Sequence, residues 1–140
     1  MLFGQDVLQF RRMFYSAWAK FLNKQPLEPV EEQLVLVIQD HPEYQSIFDN
    51  EKALEANYLP ELGDSNPFLH MALHLSLREQ VVTNRPDGIQ AIFAKLCERM
   101  KPIDAEHMMI DVLAESLWMA QKHQSLPDET EYLANLTNLV

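Results

Sequence analysis

The segment from Asn66 to Thr83, NPFLHMALHLSLREQVVT, reads as a helix that needs neighbours on two sides. Turning it through about 100° per residue puts Phe68, Met71, Leu75 and Val82 on one apolar arc and Leu69, Leu73, Leu77 and Val81 on a second. A helix apolar on two sides is central to its bundle. Two narrow polar stripes fill the gaps: His70, His74 and Arg78 on one, and Ser76, Glu79 and Thr83 with small Ala72 on the other. Only one stripe can face open water, so the other requires buried partners.

Five further segments carry helical periodicity with matching end signals, which predicts an all-α, compact, single-domain helical bundle of five to six helices over residues 1–140. The first runs from about Asp6 to Lys24, with Val7, Phe10, Phe14, Trp18 and Phe21 on one face. Arg11 at the edge of that face is expected to pair with a carboxylate or to snorkel. The second starts near Pro29 and ends at His41-Pro42. Residues 42–65 lack a clean period and read as short helical turns packed on the core, through Tyr44, Ile47, Phe48, Leu54, Tyr58, Leu59 and Leu62. After the Asn66 helix, the fourth spans about Gly88 to Lys101. The fifth is capped at Asp104, with Ile103 and Met108 as a hydrophobic staple, and ends near His123. The sixth opens at Asp128 with Glu131 three residues on. Three glycines in 140 residues leave no material for a series of tight β-turns or for phosphate loops, which argues against barrels and nucleotide-binding α/β folds.

Charge narrows the function classes. With 21 acidic and 11 basic side chains and a net charge of -10, the field of the chain repels nucleic acid and anionic membrane. The charge falls in blocks: +3 over residues 1–27, -9 over 28–65, +2 over 66–103 and -6 over 104–140. The acidic blocks offer a face to a basic partner or simply solvate the protein. No apolar run approaches the roughly 18 residues of a membrane span, and the N-terminus does not read as a secretory signal. A cytoplasmic location is the expectation. The single cysteine, Cys97, precludes an internal disulfide and a multi-cysteine zinc cage, and its place on an apolar helix face reads as an inert buried thiol.

The one chemical constellation is histidine-based. His70 and His74 are one helical turn apart, about 6 Å along one face, a separation at which two imidazoles can ligate one metal ion. The fifth helix adds His107, Asp111 and Glu115 at successive i, i+4 steps. If the third, fourth and fifth helices run down, up and down, the two ligand sets lie at similar depth. Neutral imidazoles and carboxylates suit a zinc or non-haem iron ion. Two readings stand side by side: metal ligands at His70, His74, His107, Asp111 and Glu115, or hydrogen-bonded structural histidines beside an ordinary solvent face. No HExxH motif is present, because Met71 follows His70, and no serine sits in a nucleophile-elbow context.

The stretches NPFLHMALHLSLREQ (residues 66–80), RPDGI (85–89) and AEHMMIDVLAESLW (105–118) resemble a family of short bacterial proteins known as domain of unknown function 1841. The resemblance extends to the opening MLFGQD, the PLEP and HPEY segments and the closing PDETEYL. It implies a single-domain helical protein and supplies no catalytic residues. The functional expectation is a non-enzymatic interaction or structural module, pairing with a protein partner or with its own copies. The alternative is a metal-binding helical bundle with hydrolytic or redox activity.

Overall fold

Six α-helices form where the caps and periods place them, and no strand occurs among the described residues. The computed structural model describes residues 2–58 and 65–140. The helices are α1 (Leu2–Leu22), α2 (Pro29–Gln39), α3 (Pro67–Thr83), α4 (Ile89–Cys97), α5 (Pro102–Lys122) and α6 (Glu129–Thr137). Two 3₁₀ segments, Pro42–Asp49 and Lys52–Leu54, follow α2. None of the described helices is long and apolar enough to cross a membrane.

The local chemistry of the helix starts is mostly as the sequence predicts. Asn66 Oδ1 accepts from the backbone N–H groups of Phe68 (3.1 Å) and Leu69 (3.2 Å), satisfying two of the orphan donors of α3. Asp128 Oδ1 accepts from Glu131 N–H at 3.0 Å and caps α6. At α2 the cap is Glu28, whose N–H donates to Glu31 Oε1 in a capping box ahead of Pro29. The start of α5 is corrected: Pro102 occupies its first turn and Lys101 is the cap position, so Asp104 lies inside the first turn, as a favourable charge near the helix N-terminus. Gly88 precedes α4 with φ 106°, and the side chain of Asn84 reaches over to accept from the N–H groups of Gly88 and Gln90, both at 3.1 Å.

The chain falls into two compact units, Met1–Met71 and Ala72–Val140. In the first, Phe14, Ala17 and Trp18 of α1 are buried, as are Leu34, Val35, Val37 and Ile38 of α2, and Phe14 meets Phe68 edge-on at 5.7 Å between centroids. Val7, Phe10 and Phe21 share the apolar face of α1 yet are more than a third exposed. The irregular stretch does pack as short turns, burying Ala53 and Leu54. Its portion at 59–64, with Leu59 and Leu62, lies outside the described residues.

Among the described residues the partners of Arg11 are backbone carbonyls. Its buried Nη1 donates to the carbonyls of Ala53 (3.1 Å), Leu54 (3.1 Å) and Ala56 (2.8 Å). A three-residue 3₁₀ turn leaves its last carbonyls without helical donors, and one guanidinium supplies them. Tyr15 serves the preceding segment in the same way, its hydroxyl donating to Ile47 O (3.0 Å) and Asn50 O (2.8 Å). The backbone of a stretch without hydrophobic period is thus tied down by two polar side chains of α1.

The second unit has one apolar core, in which Leu77 meets Ile89, Ile92 and Leu96 of α4, Ala105, Met109, Ile110 and Leu113 of α5, and Tyr132 and Leu136 of α6. The buried Tyr132 hydroxyl donates to Gln80 Oε1 at 2.7 Å. The two polar stripes of α3 separate as physical reasoning requires. Ser76, Glu79 and Thr83 are exposed, whereas His74 is fully buried.

Candidate metal centre

In the first unit a histidine pair forms around the end of α2. His41 terminates that helix, its N–H donating to Ile38 O at 3.0 Å, and Pro42 prevents continuation. The His41 ring is 1% exposed, and its Nδ1 lies 2.7 Å from Val37 O. A carbonyl only accepts, so Nδ1 carries the proton and Nε2 carries the lone pair. His70, in the first turn of α3, meets the His41 ring edge-on at 5.0 Å. Tyr44 stacks on His41, at 5.4 Å and 5° between planes, and its hydroxyl is pushed above the ordinary tyrosine range by burial.

In the second unit His74 and His107 meet at 4.8 Å between ring centroids, with planes 77° apart. His74 Nδ1–H donates to Glu106 Oε1 at 2.7 Å. Arg78, one turn after His74, donates from Nε to both oxygens of the same carboxylate, at 3.1 and 3.2 Å. Glu106 is 8% exposed, and a carboxylate at that depth requires such compensation. The histidine–carboxylate arrangement also fixes the tautomer of His74, leaving Nε2 as its donor nitrogen.

Helix α3 continues unbroken through His70 and His74, so their one-turn separation is a property of the helix itself. Of the ligands proposed from sequence, His70 lies in the first pair, His74 and His107 form the second, and Asp111 and Glu115 are exposed further along α5. The carboxylate that matters to the second pair is Glu106, which acts from behind His74. The Cys97 thiol is pushed above the ordinary range by burial and then by the nearby Glu106 charge.

His41 and Glu106 escape a reading by helical spacing. A histidine before a proline reads as a helix terminator, and Glu106 is one more acid in an acidic segment. The available signal was the unsatisfied requirement of the His70, His74, Arg78 stripe for buried partners.

No curated protein and no solved structure matches the chain. A family model, Domain of unknown function (DUF1841), matches residues 6–138. That span takes in all five histidines and nearly the whole sequence, and the chain belongs to the DUF1841 family.

Proposed function

We propose that this protein is a metal-binding helical module in which His74 and His107 are ligands of one divalent first-row ion. The observation that carries the reading is the meeting of these two rings at 4.8 Å between centroids within the second unit. Two ring nitrogens on one tetrahedral ion at the usual zinc–nitrogen bond length sit about 3.3 to 3.4 Å apart, a spacing that rotations within a rotamer well can set for rings already in edge contact. The protonation pattern supports the same reading. His74 gives Nδ1–H to a carboxylate, the outer partnership usual for a ligating histidine.

The donor set favours zinc over hard cations such as magnesium or calcium, which take oxygen ligands. Ferrous iron also suits imidazole. A closed shell of protein donors is the pattern of a structural or storage site, while a hydrolytic site keeps one position for water.

The test is metal content and affinity of protein purified without an affinity tag, after loading with zinc and removal of excess ion. The expected result is close to one ion per chain, falling sharply in His74→Ala and His107→Ala. Content below about a tenth of an ion per chain, equal in wild type and both variants, overturns the proposal. The remaining reading is then a structural histidine cluster.

A further inference from the structure

We infer that Glu106, braced by Arg78, is a positioning residue that sets the metal affinity of the His74–His107 pair through His74. The inference rests on the metal-binding reading above and adds to it a residue that contacts no ion. His74 is 0% exposed, so its ring cannot obtain a hydrogen-bond acceptor from bulk solvent. Its orientation depends on what the protein supplies behind Nδ1, and Glu106 Oε1 stands there at 2.7 Å. The carboxylate cannot drift away, because Arg78 Nε holds both of its oxygens. Since His74 and Arg78 lie one turn apart on α3, a single helix face presents the ligand and the brace to one carboxylate on α5.

Two consequences follow for an ion on Nε2. The proton is fixed on Nδ1, so no tautomer change is needed before binding. The negative charge behind the ring also raises its basicity as a ligand. Outer partners of this kind typically change metal affinity by about 10- to 100-fold. Replacing Glu106 by glutamine keeps the size of the side chain and removes the charge, while aspartate keeps the charge and shortens the reach.

The experiment is competition titration of the full-length chain with zinc, together with the absorption spectrum of the cobalt-loaded protein. It compares wild type, Glu106→Gln, Glu106→Asp and the exposed-charge control Asp104→Asn, with thermal melts of each metal-free protein to establish folding. The expected zinc affinity of Glu106→Gln is about 10- to 100-fold below wild type, with an altered cobalt spectrum. Glu106→Asp should recover part of the loss, and Asp104→Asn should match wild type. If wild type binds zinc and folded Glu106→Gln or Glu106→Asp binds equally well with the same cobalt spectrum, the positioning role is overturned while the site stands. Equal weakening by Asp104→Asn would likewise overturn it in favour of general charge. If wild type takes up neither ion, the metal-binding reading itself fails. Should Glu106→Gln not fold, the affinity and spectrum of Glu106→Asp decide the matter.

Discussion

Removing the Arg11 guanidinium should destabilise the first unit by about 3 kcal/mol, although no acid among the described residues is its partner. Arg11 Nη1 has two protons shared among the carbonyls of Ala53, Leu54 and Ala56. That amounts to two charge-assisted hydrogen bonds, each contributing about 1.5 to 3 kcal/mol, or about 3 to 6 kcal/mol together. The guanidinium also lies 5.1 Å from the Phe68 ring centroid and 5.4 Å from that of Tyr58, which adds to the loss. Against this, Ala56 is only half-buried, so water can recover part of what its carbonyl loses. In Arg11→Met the aliphatic stem is replaced by similar apolar volume. The lower end of the range is therefore expected, against a whole-protein stability of about 5 to 15 kcal/mol.

The assay exploits the distribution of the two tryptophans. Trp18 is buried in the first unit and Trp118 is 57% exposed in the second, so Trp118→Phe leaves a single fluorescent reporter beside the affected region. Urea unfolding in that background should show the Arg11→Met midpoint well below that of the parent at unchanged slope. Arg11→Lys should fall between them, because an ammonium keeps charge and donors but has a different reach. A shift below about 0.5 kcal/mol for Arg11→Met, the range of an ordinary surface substitution, would refute the assignment. Equal loss in Arg11→Lys and Arg11→Met would show that shape, not charge donated to carbonyls, is what the site requires.

Three further outcomes are expected. Gly88→Ala should lose about 1 kcal/mol or somewhat more in urea denaturation. The cost comes from the backbone at φ 106°, because the nearest atom to an added Cβ is Leu133 Cδ1 at an unstrained 4.0 Å. Tyr132 is pushed from 10.0 up to about 12, chiefly by burial. The fold favours the neutral phenol, so its contribution is intact below pH 10 and is lost as pH rises towards 12, where only the unfolded chain ionises at first. Tyr132→Phe should flatten the alkaline decline of the melting temperature through that window. Cys97 should alkylate more slowly than a small free thiol at mildly alkaline pH, since burial and Glu106 both disfavour its thiolate. Glu106→Gln should narrow that difference, as followed by mass spectrometry.

Helix positions were legible where cap chemistry and apolar period agree, as at Asn66 and Asp128. The two stripes of α3 were legible for a stronger reason: one of two polar stripes on a doubly apolar helix must find partners inside the protein. Neither signal names those partners. Glu106 lies 32 residues from His74 and 28 from Arg78, and nothing in its local sequence distinguishes it from the exposed acids nearby. The carbonyls that Arg11 serves were hidden on the same ground, because they belong to a 3₁₀ turn more than 40 residues away.

Why His107 meets His74 while Asp111 and Glu115 do not follows from helix geometry. Each i to i+4 step turns a side chain by about 40° and advances it by about 6 Å. Along α5 the line from His107 to Glu115 therefore rises about 12 Å and rotates by about 80°. A stripe of that kind meets a point-like centre with one member and leaves the others displaced along the helix and turned around it, where both acids are exposed. The stripe on α3 drifts in the same way, and the drift gives its members different neighbours. His70 meets His41 and Tyr44, His74 meets Glu106 and His107, and Arg78 reaches back to Glu106. Each histidine of α3 is thus met by a separate chain segment, His70 by His41 and His74 by His107, while Asp111 and Glu115 stay exposed.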